Sequence, residues 1–483
     1  MRISHTLTLA AVACLCACSV GPSFVEPQPA LPAEWSQQSA IAGEPVDEQW
    51  WKSFDDPLLI ELVSQAREAN PDVQTAALRV AQSRAQRAIV AGSSVPNVAA
   101  KASYQRQRQS EFGTATRMID AIAPPSGRDA IVDVLSDPYD LYQVGFDASW
   151  EIDLWGRSRN AIKAADASVA ASTEDHHAAQ LSVTAEVART YFDLRGVNDQ
   201  LRIANEDVAA AEDALELTEV RANGGTVTQL DVVSHRVRLA DARARRPVLQ
   251  QRQTQLRNNL ALLLGEPPDA LPEAVLESRS AVKHPPKVAA GLPSEVARRR
   301  PDIRAAEARL EAATAEIGVA VADLYPRITL TGGLMSESLQ ASNLSEWGAR
   351  QWSIGPSLYL PIFEGGRRRS MVELRELQQQ EAAIHYQRTV LRAWHEIDSA
   401  LSAYESERQH HDELLAAVDA SRDAYELARM RYEHGMTSFL IALDAQRTLL
   451  QTQSALTDSS TALSTHLIAL YKALGAGYRS VER

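Results

Sequence analysis

Internal repetition constrains this chain more than any other feature of its sequence. Asn70-Pro71-Asp72-Val73 returns as Arg300-Pro301-Asp302-Ile303, and the same offset of 230 places Ala76 on Ala306, Ala85 on Ala315 and Pro96 on Pro326. Farther along the offset becomes 210: Gly156-Arg157 falls on Gly366-Arg367, Glu186-Val187 on Glu396-Ile397, Asp213-Ala214 on Asp423-Ala424, Arg221 on Arg431, Gly225 on Gly435 and Leu264-Gly265 on Leu474-Gly475. The 20-residue change lies between Pro96 and Gly156, so the first copy carries a longer loop at about residues 110–138. Each copy reads helix, strand, loop, strand, very long helix, turn, helix.

The helical parts are rich in Ala, Leu, Glu, Gln and Arg, all strong helix formers. No proline interrupts Arg157 to Asn223 or Arg367 to His434, and each stretch, if continuous, runs roughly 100 Å. Apolar or small residues recur in heptad fashion at Leu201, Ala204, Val208, Ala211, Leu215, Thr218 and Ala222, a spacing that favours left-handed supercoiling against a neighbour. Asn223-Gly224-Gly225 and His434-Gly435 supply helix stops, because glycine accepts the positive φ of a C-terminal cap, and Thr228 and Ser438 suit the N-caps of returning helices. Each copy therefore contains a helical hairpin with a sharp tip. The return helix of copy one, about 228–264, and the next helix, about 294–324, together match one long helix, which predicts that they stack end to end beside it.

Between the helices the period switches to two. Tyr142, Val144, Phe146, Ala148, Trp150, Ile152 and Leu154 alternate with Gln143, Gly145, Asp147, Ser149, Glu151 and Asp153, and Trp352, Ile354, Pro356, Leu358, Leu360 and Ile362 alternate with Gln351, Ser353, Gly355, Ser357, Tyr359 and Pro361. Strands are expected at 97–105, 142–154, 327–335 and 351–363, each with one apolar face. A half-buried soluble sheet would read the same way; strands of roughly ten residues also suit a tilted bilayer crossing, with Trp150, Trp155, Trp347 and Trp352 as interfacial girdle residues. Four strands cannot close a barrel, and open edges in hydrocarbon leave backbone groups unsatisfied. Strands that span a bilayer thus require two, three or four chains, giving 8, 12 or 16 strands.

The three cysteines, Cys14, Cys16 and Cys18, all lie in the first 18 residues, which excludes a disulfide framework and thiolate chemistry in the body of the chain. Arg2 followed by an apolar core from Leu7 to Leu15 reads as a signal segment over 1–17. Leu15-Cys16-Ala17-Cys18 resembles the lipobox of bacterial lipoproteins, with Cys18 as the lipidated residue and Ser19 after it as a non-acidic, outer-membrane sorting position. Acyl chains there would tether the chain without spanning the bilayer. No run of 18 apolar residues offers a transmembrane helix. A net charge of −13 argues against nucleic-acid binding.

Several motifs carry a resemblance across nearly the whole mature chain. They are Cys18-Ser19-Val20-Gly21-Pro22 with Pro27, Trp50-Trp51 through Phe54-Asp55-Asp56-Pro57-Leu58, Leu263-Leu264-Gly265 with Pro267, and Gly291-Leu292-Pro293-Ser294. The most specific is Arg299-Arg300-Pro301-Asp302-Ile303-Arg304-Ala305-Ala306-Glu307, continuing to Tyr325-Pro326-Arg327-Ile328; Leu360-Pro361-Ile362-Phe363 and Leu443-Asp444-Ala445-Gln446-Arg447 complete the set. The sequence resembles the TolC-like outer-membrane factors, in their lipoprotein (NodT-type, OprM-like) branch serving resistance-nodulation-division (RND) efflux pumps.

The resemblance implies a mainly α fold with a transmembrane β part: a homotrimer with a 12-stranded barrel and a long periplasmic α-helical tunnel, in which each protomer gives four strands. It implies mixed α/β equatorial segments at roughly 19–57, 266–292 and 475–483. The corresponding division is a signal segment (1–17), a lipidated N-terminal segment (18–57), a first repeat (58–265), a linker (266–292), a second repeat (293–475) and a tail (476–483). The chain is placed in the bacterial outer membrane, lipid-anchored and extending into the periplasm, with a periplasmic adaptor protein, an inner-membrane RND transporter and outer-membrane lipid as partners. The resemblance also implies a periplasmic aperture formed by Leu440 as an apolar ring, Asp444 as an acidic ring and Arg447 beside it, with Asp231 and Tyr432 linking neighbouring hairpins at the tip. Some members have an Arg soon after the tip glycine and a second Asp before the one at Asp444; Thr437 and Ile441 stand there in this chain, so a two-ring acidic gate with an Arg latch is not expected.

Plainer readings exist for the same residues: Asp444 and Arg447, three apart, can form a surface helix pair, and Asp231, three after Thr228, can complete an N-cap. His176-His177 and His410-His411 read as solvated helix positions. Neither a Gly-x-x-x-x-Gly-Lys loop nor a Gly-x-Ser-x-Gly elbow occurs, so the chain is not expected to be an enzyme or to hold a cofactor or metal, and energy for transport must come from a partner. A passive efflux duct is the leading expectation; a duct for type I protein secretion and a non-conducting periplasmic rod are the alternatives.

Overall fold

The structure, a computed structural model, describes residues 19–27, 49–122, 127–268, 270, 271, 275 and 299–476. The signal segment, Cys18, most of the 266–292 linker, Gly291-Leu292-Pro293-Ser294 and the tail beyond 476 lie outside the described residues. The elements are α1 (Pro57–Ala69), α2 (Pro71–Gly92), β1 (Asn97–Gln107), α3 (Thr114–Ile122), α4 (Arg128–Ser136), β2 (Tyr139–Ile152), α5 (Arg157–Asn223), α6 (Gln229–Leu263), α7 (Pro301–Ala322), β3 (Arg327–Ser338), β4 (Arg350–Tyr359), α8 (Arg367–Glu433) and α9 (Phe439–Ala473). The repeat is visible in lengths alone. α2 and α7 both have 22 residues, α5 and α8 both 67, and α6 and α9 both 35.

Chain packing divides into two units. The first comprises Met1–Val25, Arg84–Ser168 and Leu310–Glu381. It holds one antiparallel sheet in the order β1-β2-β3-β4. The register places Val98 opposite Ala148, Phe146 opposite Leu334, Trp150 opposite Leu330 and Leu334 opposite Trp352. Because side chains alternate with period two, every even-numbered position of all four strands shares a face. That face is apolar and open: Val98, Phe146, Leu334, Trp352, Ile354 and Leu358 are all exposed. The odd face is polar and internally bonded, with Lys101 on Asp147 at 2.9 Å, Ser103 donating to Gln143 at 3.0 Å and Gln143 to Glu337 at 2.6 Å. β1 and β4 are the two edges, and nothing in the chain pairs their outer backbone groups among the described residues.

Three sequence expectations need correction here. β4 ends at Tyr359, not 363, because Pro361 has no N–H to continue a ladder. β2 runs from Tyr139 to Ile152 in place of 142–154. The long first-copy loop contains two short helices, α3 and α4, where a loop was expected.

Trp150 donates to the Ser94 carbonyl at 2.9 Å and Trp155 to that of Pro326 at 2.8 Å, at the end of the sheet that leads into the helices. Trp347, at the β3–β4 connection, is 79% exposed with Arg350 over its ring.

The second unit comprises Glu26–Ser83, Val169–Arg309 and Ala382–Arg483. Its largest core joins Trp50, Trp51 and Phe54 of a 3-10 helix to Leu59 and Leu62 of α1, Tyr191 and Leu194 of α5, Leu260 of α6, Leu271, Val275, and Leu467 and Tyr471 of α9. Trp50 stacks on Tyr471 with centroids 5.1 Å apart. Asp56 caps α1, accepting from Leu58 N–H at 3.1 Å, and its other carboxylate oxygen takes Tyr191 O–H at 2.8 Å and Arg195 at 2.7 Å. The described residues of the segments expected to form the equatorial belt therefore do meet; they include the 3-10 helix Trp50–Phe54, and none of these described residues lies in a strand.

The end-to-end stacking of short helices has a different pairing from the one length arithmetic predicts. Asn70, at the head of α2, donates to the Leu263 carbonyl at the foot of α6 at 2.9 Å. Arg300, at the head of α7, donates to the Ala473 carbonyl at the foot of α9 at 2.8 Å. The return helix of each copy thus meets the first helix of the same copy, not of the next. These are pseudo-equivalent joints in which a side chain satisfies a helix-terminal carbonyl that would otherwise be orphaned. Arg300 also holds Asp302 and Glu396, both at 2.7 Å, with its own side chain 8% exposed.

Replacing Arg300 by Met is expected to lower folding stability by about 2 kcal/mol, since a charged hydrogen-bond donor is lost beside half-exposed carboxylates, and Asn70→Ala by about 1 kcal/mol. Thermal unfolding of the purified protein followed by far-UV circular dichroism checks both; an Arg300 variant as stable as the parent refutes the joint.

Candidate functional site: the hairpin tips

Both tips close the same way. Gly225 (φ 74) and Gly435 (φ 69) take the left-handed conformation, Thr226 N–H returns to the Arg221 carbonyl at 3.0 Å, and Met436 N–H to that of Arg431 at 2.8 Å. These i to i−5 bonds are the Schellman closure anticipated from the glycines.

The return helices begin differently. In the first hairpin Thr228 and Asp231 form a reciprocal capping box: Asp231 N–H reaches Thr228 Oγ1 at 3.3 Å, and Asp231 Oδ2 accepts from Thr228 N–H at 2.8 Å and from its hydroxyl at 2.7 Å. These bonds hold the Asp231 carboxyl below its ordinary pKa. In the second hairpin the pseudo-equivalent residue is Ile441, and the Ser438 side chain makes no cap bond.

The hairpin seams differ too. Val208 and Ala211 of α5, from the heptad series, pack on Leu239 and Ala242 of α6, with Leu215 against them. Around that seam Arg236 reaches Glu219 at 2.7 Å, Arg243 reaches Glu212 at 2.6 Å, and Arg238 pairs with the buried Asp207. Near the second tip the ion pairs Arg422–Asp419 (3.1 Å) and Arg429–Glu433 (3.5 Å) stay within α8.

Leu440, Asp444 and Arg447 follow one another at spacings of four and three on α9, so they share one face. All three are exposed, Leu440 at 64%. Among the described residues no ion pair joins Asp444 to Arg447, so the local surface pair does not form here. The Arg221 guanidinium, from the end of α5, lies 4.9 Å from the Tyr432 ring centroid near the end of α8. In the sequence Arg221 reads only as the repeat match of Arg431. The contact crosses between copies, and no local spacing reveals it.

His235, one turn beyond Asp231, is 2% exposed; burial pushes its pKa below the ordinary 6.5, and Asp231 offsets this in part. Of the paired histidines, His177 contacts Glu174 at 3.2 Å and His411 the Ser460 hydroxyl at 3.1 Å, so these two are not simply solvated.

Comparison with known proteins fits this architecture. A family model described as "Outer membrane efflux protein" matches residues 62–266 and 292–476, once per repeat. Outer membrane protein OprJ of Pseudomonas aeruginosa is 34% identical over 469 residues, spanning 96% of this chain and 93% of that protein. The toluene efflux pump outer membrane protein TtgI of Pseudomonas putida is 32% identical over 484 residues, 98% of each. Among solved structures, the outer-membrane channel OprN aligns with a TM-score of 0.83 at 34% identity, covering 95% of this chain and 99% of that one. The Campylobacter jejuni CmeC outer membrane channel aligns with a TM-score of 0.85 at 25% identity, covering 96% of each.

Asp231→Ala removes the capping box and is expected to cost about 1 kcal/mol, seen as faster amide hydrogen exchange across residues 226–232. Ile441→Asp places the same acid in the second hairpin and should slow exchange there. A depressed His235 pKa in the folded state means that the unfolded chain takes up the proton first. The stability it supports is therefore complete above pH 6.5 and is lost as the pH falls through that value. His235→Leu should flatten that dependence, and an unchanged acid profile counts against it.

Proposed function

Since this chain belongs to the outer membrane efflux protein family, we propose that it is the passive exit duct of a tripartite efflux assembly, built as a homotrimer and anchored through acyl chains on Cys18. The observation that carries this reading is the four-stranded sheet, with one exposed apolar face, one polar face and two unpaired edges. In hydrocarbon every unpaired backbone group costs several kcal/mol, so such a sheet persists in a bilayer only when copies pair edge to edge. Three copies give the 12-stranded barrel. An exposed apolar series at heptad spacing on α8, Leu377, Ile384 and Leu391, supplies a helical surface for a neighbouring copy.

The duct has no energy source of its own in this reading. A periplasmic adaptor and an inner-membrane RND transporter supply drive and substrate choice. The relatives support a permissive duct, since their names carry pyoverdine export and toluene efflux, two chemically unlike cargoes. In the closed trimer Leu440 and Asp444 form successive rings at the aperture, with Arg447 below them. The face they share is unoccupied by their own chain. Tyr432 links hairpins through Arg221, and Asp231, whose cap bonds fall on Oδ2, keeps Oδ1 for a neighbouring copy.

Purified protein in detergent should size as a trimer and image as a three-fold cylinder; a water-soluble monomer ends the proposal. In planar bilayers Asp444→Ala should raise the open-to-closed ratio roughly tenfold, taking about 0.5 kcal/mol for each of three surface carboxylates, and should weaken block by divalent cations. Conductance and cation dependence that match the parent would remove Asp444 from the aperture.

A further inference from the structure

Val20 and Gly21 are held against the body of the chain. Val20 N–H donates to the Trp155 carbonyl at 3.1 Å, just beyond β2, and the Val20 carbonyl accepts from Asn160 Nδ2 at 3.3 Å. One residue later the strap crosses α7 backbone to backbone. Gly21 sits at φ +120, and a Cβ on it would fall 2.6 Å from the Gly318 Cα. A Cβ on Gly318 would fall 2.4 Å from Asn160 Nδ2, the atom that holds the strap. Asn160 is buried, so its side chain has little room to yield.

This arrangement exists in only one of the two repeats. The pseudo-equivalent of Gly318 is Ala88, and that of Asn160 is Ser370. The first substitution puts a Cβ where Gly318 leaves room for the Asn160 amide, and the second removes the amide that grips the strap. The seat also draws on both copies, α5 from the first and α7 from the second, at the place where Trp155 already bridges to Pro326 and stacks on Tyr325 at 4.8 Å.

We propose that Asn160 and Gly318 form a docking seat for residues 19–24, which staples the two repeats at the foot of the sheet and fixes where the acyl anchor enters the bilayer. The anchor half of this rests on the lipidation reading given above. Ser19 is joined to Cys18 by one peptide bond, about 3.8 Å between Cα atoms, so a seated strap leaves the acylated residue almost no radius to roam. An unseated strap would tether the same lipid loosely, and the sheet would reach the membrane without a set orientation.

The test is Gly318→Ala in the full-length, membrane-processed protein. Alanine is the better helix former, so α7 is not weakened, and Ala88 shows alanine in the matching helix of the other copy. Hydrogen exchange read by mass spectrometry should show the Val20 amide protected in the parent and exchanging on the order of tenfold faster or more in the variant, with peptides of α7 unchanged. The acyl mass on Cys18 should persist in the variant while the yield of membrane-inserted oligomer falls several-fold. Ala88→Gly should change neither. A parent strap that exchanges as fast as the variant's, or equal insertion yields, overturns the seat. A parent chain without acyl mass overturns the anchor half independently, because strap protection is read from the polypeptide alone.

Discussion

The two open edges of the sheet set the terms for everything else in this chain. β1 and β4 each present a row of N–H and C=O groups with no strand partner among the described residues, next to a face of Val, Leu, Ile, Phe and Trp side chains. In water this combination is an aggregation site. In hydrocarbon the edges are prohibitive unless paired. Both problems have one remedy, closure with identical copies, and closure also resolves the polar face, whose hydrogen-bonded Gln143, Glu337, Lys101 and Asp147 would then line an aqueous interior. On the proposed reading the edges make the oligomer a condition of the fold, not an addition to it.

The helices meet a related constraint by internal means. Each repeat brings two helix ends together, the foot of a 35-residue helix and the head of a 22-residue one. Each end would leave carbonyls orphaned in a packed layer. Asn70 and Arg300 solve this at the same place with different chemistry, an amide in one copy and a guanidinium in the other. The guanidinium additionally draws in Asp302 and Glu396, which ties the joint to the neighbouring long helix α8.

Much of this was readable from residues alone, and the failures have identifiable causes. Proline-free length, tip glycines and period-two alternation located the hairpins and all four strands, because each rests on a local rule. The Thr228–Asp231 cap was readable for the same reason. The stacking partner was misassigned because α2 and α7 are equally long, so length arithmetic cannot choose between them. The end of β4 was overrun because alternation continues through Ile362 although Pro361 stops the ladder. α3 and α4 were missed because nine-residue helices carry too few turns for periodicity to register. Arg221 over Tyr432 and the packing of Gly21 on Gly318 join residues far apart in sequence, and only the folded chain brings them together.

Duplication makes the departures from symmetry informative. Two copies folded by the same rules should differ freely on their surfaces and little at their joints, yet the sharpest differences here fall at structurally demanding points. Asp231 against Ile441 gives one hairpin a locked entry and leaves an apolar residue at the other. Gly318 makes room for the Asn160 amide that holds the strap in one copy, and Ala88 with Ser370 leaves the other without that amide. A ring assembled from such chains alternates stiff and loose hairpins. The loose one carries Leu440 and Asp444 on a face that its own chain leaves bare. A closed tip that must open without unfolding needs that inequality: if both hairpins were capped and stitched alike, no element would yield before the whole ring did. If the tips form the proposed aperture, the divergent second tip is the element that would yield, and the capped, ion-paired first hairpin is the fixed frame against which it would work.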